Sequence, residues 1–355
     1  MKKSNAKKWV AGCIGTFFFL CIAMVVLTIV VDPYFHYHKP LKNMKYRLYE
    51  ERYINDGISR NFAYDAIITG NSLTENFKTS ELDELFDVNS IKLPYSGAGY
   101  KEIWENLSRA LQRNPDTKMV VVVLDYDDLS KDKDYMRYDD YPEYLYDDSL
   151  LNDMAYLLNK DVFYRGTMYN ILMTITGTPS TTFDEYASWE HETGAQKVMK
   201  AVGTIWEPEL IRQNEYTSED EKRVRDNVVY NITSLTKKYP DTQFYLCFAP
   251  NSIAQWCQWY NIGEIGYRIS AEKTAVEELL QYDNIHLSCF YDKHEWICNL
   301  DNYSDMVHYT PQINSEILAY MKSGEYELTK ENYEEHIAKT FEFYGNYDYL
   351  SLKTE

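Results

Sequence analysis

No charged residue occurs between Trp9 and Val31, a run of 23 residues. As a helix rising about 1.5 Å per residue, that run crosses the roughly 30 Å hydrocarbon layer of a bilayer with some tilt. No other feature constrains the chain as strongly, because a backbone exposed to lipid must be a helix or a closed barrel. Lys2, Lys3, Lys7 and Lys8 precede the run and no acidic residue does. The positive-inside rule therefore expects residues 1–8 in the cytoplasm, residues 9–31 as a single-pass membrane anchor, and everything after Asp32 on the extracellular side. A cleaved signal peptide is the competing reading. Its apolar stretch is usually shorter and ends in a small-x-small site, and neither feature is present.

Setting those four lysines aside, 32 Lys and Arg residues face 55 Asp and Glu residues, a net charge of −23. Such a surface repels nucleic acid and anionic headgroups, so a nucleic-acid partner is not expected. Residues 32–60 form a juxtamembrane segment containing "DPYFHYHKP". Its His36 and His38 lack a carboxylate or cysteine at ligand spacing and read as packing or interfacial residues.

From residue 65 onward, short apolar runs alternate with helix-like segments. Candidate strands are 65–69, 88–93, 119–125, 243–249 and 284–290, and candidate helices are 100–113, 219–238, 268–282 and 311–322. Unbroken Val/Ile/Leu runs suit strands covered on both faces. The alternation implies an α/β domain with a three-layer, doubly wound parallel sheet of about five strands over residues 61–322. One interval breaks the rhythm, and residues 131–218 are read as an insertion. It opens on "DKDYMRYDDYPEYLYDD", and its lack of Val/Ile runs predicts a layer over the carboxyl edge of the sheet, a lid or a glycan-stacking surface. Residues 323–355 are a tail with one peripheral helix.

Cys13 and Cys21 fall in the apolar run and read as small apolar residues. Cys247, Cys257, Cys289 and Cys298 follow, an even number that permits disulfides in an oxidising setting. Cys257 and Cys298 are the expected pair, each trailing its strand into loops at one sheet edge, while Cys247 and Cys289 read as core. No Cys-x-x-Cys occurs, and neither a metal nor another cofactor is expected.

Candidate chemistry centres on "IITGNSLTENF", residues 67–77. Ser72 and Glu75 make a Ser-x-x-Glu capping pattern, yet Ser72 also stands just past the first strand, where α/β sheets place their ligands. Both roles fit locally. Far downstream, "DNYSDMVHYTP" sets Asp305 three residues before His308 and just ahead of a helix. A Ser on the first strand-to-helix loop facing an Asp–His turn supplies nucleophile, base and orienter.

Taken in order, "GNS", "SGAGY", a strand running into "LDYDD", and "DMVH" resemble the blocks of the SGNH/GDSL hydrolase superfamily. The resemblance covers most of residues 61–322 apart from the insertion, and implies a flavodoxin-like sheet. It implies Ser72 as nucleophile, His308 as base, Asp305 as its orienter, and an oxyanion hole from the backbone N–H groups of Ser72 and Gly97. The third block departs from the family. Asp127 aligns where an Asn donates, and an ionised Asp cannot donate, so Asn71 or Asn251 is the expected substitute.

A single anchor ahead of such a domain is similar to the membrane-anchored branch of that superfamily. That branch includes proteins of teichoic-acid D-alanylation and of alginate and peptidoglycan O-acetylation. It implies an extracellular acyltransferase acting through an acyl-Ser72 intermediate, with an envelope polysaccharide or teichoic acid as acceptor and a membrane-bound O-acyltransferase as partner. The alternatives are an esterase or deacetylase with the same triad, and a non-catalytic scaffold.

Overall fold

The runs of Val, Ile, Leu and Phe form five parallel strands because each is buried along most of its length. In the computed structural model, which describes residues 2–138 and 141–353, these are β1 (Ala66–Gly70), β2 (Ser90–Pro94), β3 (Met119–Leu124), β4 (Gln243–Phe248) and β5 (Ile285–Ser288). β1, β2 and β3 are buried at every position, as strands covered on both faces must be. A sixth strand, β6 (Glu327–Leu328), pairs antiparallel with β5. The order is β2-β1-β3-β4-β5-β6. The protein is therefore α/β with a six-stranded, mostly parallel sheet, one strand more than the sequence predicts.

The chain steps from β1 outward to β2 and then returns to β3 on the other side of β1. Such a reversal is where open α/β sheets place their ligands, at the carboxyl ends of the strands, here those of β1 and β3. In-register pairing from Ala66 opposite Ser90 to Gly70 opposite Pro94 aligns the ends of β1 and β2. The Tyr95 N–H extends the pairing by donating to the Gly70 carbonyl at 2.8 Å. The helix Tyr100–Arg113 then buries Ile103, Trp104, Leu107, Ala110 and Leu111, a 3–4 spacing that gives one apolar face.

Two compact units make up the chain, Met1–Ala63 with Asp140–Thr182, and Tyr64–Asp139 with Phe183–Glu355. The expected insertion is thus divided between the units, and no strand lies between β3 and β4 among the described residues. In the first unit the helix Lys2–Val31 contains Ala6–Val31, 26 residues of mean hydropathy 2.8, long and apolar enough to span a membrane. After it, Asp32 gathers the chain. Its carboxylate accepts from the His36, Tyr37 and His38 backbone N–H groups and from the Tyr156 hydroxyl. His36 Nε2 lies 3.3 Å from Asp153, and His38 hydrogen-bonds backbone carbonyls. Both histidines are packing residues.

Two local expectations are corrected. Ser72 does not head a capping box: Asn71 caps the short turn Ser72–Thr74 by accepting from the Leu73 N–H. A reciprocal box forms instead at Thr217 and Asp220, at the start of the helix that runs on through residue 238. The cysteines are all free, Cys257 and Cys298 included. The C-terminal residues Tyr347 and Tyr349 lie near both of those thiols.

Candidate active site

Gly70 makes the turn that presents Ser72. Its φ of +146° is disfavoured for side-chain-bearing residues, and a Cβ there would meet Thr74 Cγ2 at 2.6 Å. Beyond it, the Thr74 hydroxyl donates to the Asn71 carbonyl at 2.6 Å, and the Asn314 side chain donates to the Leu73 carbonyl at 3.1 Å. The turn is thereby fastened to the helix Pro311–Ser323. Behind it Lys92, fully buried in β2, donates to the carbonyls of Glu75, Phe77 and Asp184.

Ser72 Oγ lies 2.8 Å from His308 Nε2. His308 Nδ1 lies 2.7 Å from Asp305 Oδ2, and Asp305 Oδ1 accepts from the backbone N–H groups of Val307 and His308. With Nδ1–H donating to the carboxylate, Nε2 is left as an acceptor for the serine proton. Burial works against the charged form of Asp305, but the hydrogen bonds from His308 outweigh it and hold the carboxyl down at about 2. The three sequence-expected residues, 236 positions apart at their ends, are brought together in one chain of hydrogen bonds.

The expected oxyanion donors are placed unevenly. Gly97 adopts φ +66° in the loop after β2, with Arg137 and Tyr138 beside it. Neither its N–H nor that of Ser72 donates to another group among the described residues. Asn71 engages its carbonyl with Leu73 and one amide hydrogen with Asp125 Oδ2 at 3.1 Å. Asn251 is buried beyond β4. Its neighbour Ser252 ties that loop to the Met306 carbonyl, but the Asn251 side chain makes no hydrogen bond to Ser72, Asn71 or Gly97.

Asp127 does not occupy the donor position. Its half-exposed carboxylate pairs with Arg268 at 2.7 Å, drawn outward by that guanidinium. Asp125 is the acid that faces the site, because it is the first residue past β3 and its side chain turns toward Asn71. Enclosure by protein, followed by the nearby Asp127 charge, raises the pKa of Asp125. Enclosure, followed by Asp125 and Asp127, pushes Asp128 up to about 8.

Sequence reasoning missed two contributors. Trp189 sets its ring edge-on to His308, centroids 5.2 Å apart, and its backbone N–H donates to Asn76 Oδ1 at 2.9 Å. Asp184 anchors the same segment by accepting from Thr79 and Ser80. No periodicity marks them, since both come from the insertion.

No protein-family model matches the sequence, and no curated protein matches it. Among solved structures, the chain is similar to one described as "a putative platelet activating factor from Streptococcus pneumonia". The identity is 11%, the match covers 77% of this chain and 89% of that one, and the TM-score is 0.40, a likeness too low to assign a family or an activity.

Proposed function

We propose that the chain is a membrane-anchored serine acyltransferase of SGNH type, modifying an envelope polysaccharide or teichoic acid on the extracellular side. The observation that carries this reading is the Ser72–His308–Asp305 chain, with hydrogen-bond lengths of 2.8 and 2.7 Å. In the first half-reaction Ser72 Oγ attacks the donor's acyl carbonyl while its proton passes to His308 Nε2. The tetrahedral oxyanion takes hydrogen bonds from the Ser72 and Gly97 N–H groups, and collapse expels the donor alcohol or thiol, which regains the proton from His308. In the second half-reaction a polymer hydroxyl attacks acyl-Ser72, with His308 again moving the proton. Asp305 keeps the imidazole in the tautomer both steps need. A membrane-bound O-acyltransferase is the partner this topology suits, as the source of acyl groups at the outer face.

One observation favours a second reading. His308 and Asp305 keep 27% and 46% of their side-chain surface exposed, so water reaches the triad and hydrolysis of an envelope ester is chemically open. Cells carrying a folded Ser72→Ala protein separate the two. Transfer predicts that polymer acylation falls, and hydrolysis predicts that it rises. Unchanged acylation leaves only a scaffold.

A further inference from the structure

Glu272, Cys289 and His336 meet from three separate elements: the helix Ile265–Leu279, the residue following β5, and the helix Tyr333–Gly345. Their ligating atoms all lie within 4.8 Å of one another. Glu272 is fully buried and Cys289 nearly so. Glu272 Oε1 lies 3.5 Å from Cys289 Sγ and 3.5 Å from His336 Nε2, both long for strong hydrogen bonds. Its second oxygen, Oε2, is buried with no hydrogen-bond partner. A carboxylate taken wholly out of water and left half-satisfied is costly unless a cation compensates it.

We propose that Glu272, Cys289 and His336 bind a borderline-soft divalent cation of the Zn²⁺ class. Carboxylate, thiolate and imidazole are the donors that select such an ion. Zn–S bonds of about 2.3 Å and Zn–N or Zn–O bonds of about 2.0–2.1 Å give a tetrahedron with edges of roughly 3.3–3.6 Å, and the two 3.5 Å separations fall in that range. Cys289 and His336 also line a groove of about 990 Å³. Three protein ligands leave a fourth position for water or another donor. The ion pins the C-terminal helix to the sheet domain. No spacing pattern announces the site, because its ligands are 17 and 47 residues apart (272 to 289, 289 to 336).

The test uses the full-length protein in detergent, loaded with Zn²⁺ and freed of excess metal by gel filtration. Metal analysis is expected to give about one ion per chain, falling below roughly a tenth in the near-isosteric Glu272→Gln and in His336→Gln. Cys257→Ser, which alters a buried thiol elsewhere, should retain full occupancy. Substitution with Co²⁺ should produce a thiolate-to-metal charge-transfer band that Cys289→Ser removes. A wild-type protein that takes up no Zn²⁺, or whose Co²⁺ form lacks the thiolate band, overturns the proposal without relying on any variant's folding. Equal metal content in folded Glu272→Gln and His336→Gln proteins overturns it as well.

Discussion

On the proposed mechanism His308 and Asp305 divide one task unequally: the imidazole moves the proton, and the carboxylate only holds it in register. His308→Ala is therefore expected to lower acyl transfer more than Asp305→Asn, by roughly one to two orders of magnitude in rate, measured as initial rates on a model ester. A second expectation concerns Asp128, whose carboxyl sits at about 8, raised by enclosure and by two neighbouring acids. Because this folded-state value lies above the unfolded one, Asp128 binds its proton more tightly when folded. Its contribution to stability is present below about pH 4 and is lost as pH rises toward 8. Asp128→Asn should flatten that part of the profile in thermal melts between pH 5 and 8.5, and an unchanged slope would contradict the assignment. The Ser72, Asp305 and His308 trio was legible in the sequence because Ser72 closely follows β1 and the Asp305–His308 turn leads into the helix Pro311–Ser323. Asp125 was not. It lies two residues from Asp127, and which of the three acids in "LDYDD" faces the site depends on where β3 ends and on Arg268, a helix residue far along the chain.

At the scale of elements, the five long apolar runs could be read as strands because continuous burial leaves a compositional trace. β6 could not, having only two residues and pairing through Leu328 and Glu327 with β5. The segment carrying Trp189 was equally opaque. Its path is set by hydrogen bonds, the Trp189 backbone N–H donating to Asn76 and Thr79 and Ser80 donating to Asp184, and by the lone buried Tyr186, none of which leaves a periodic trace. Lys92 is the link between that segment and the Ser72 turn, so it carries the prediction at this scale. Lys92→Met removes a buried donor from three carbonyls, and leaving such groups short of partners costs about 1–3 kcal/mol each at most. A loss of roughly 3 kcal/mol in denaturant unfolding is expected, with activity falling even where the protein stays folded. A neutral result would mean the three carbonyls find other partners.

The whole molecule joins an apolar helix to a strongly acidic α/β unit, and on the proposed topology they lie in and outside the membrane. The helix was plain from the sequence, since 23 uncharged residues admit few alternatives. The division of residues 131–218 between two units was not, because it depends on partners such as Tyr34 and Asp32 that meet Tyr156 only in the folded chain. Protease added to intact cells is expected to digest the sheet domain while an epitope ahead of Lys7 stays protected. Digestion of the epitope with the domain untouched would reverse the orientation. The most direct test of the catalytic reading is covalent trapping. Full-length protein is incubated with an activated acyl ester, quenched in acid, and its intact mass and peptides are read by mass spectrometry. One acyl adduct on Ser72 is expected, with the adduct absent from Ser72→Ala and its formation slowed in His308→Ala. A wild-type protein that stays unmodified, or an adduct carried equally by Ser72→Ala, would contradict the role of Ser72 as the nucleophile.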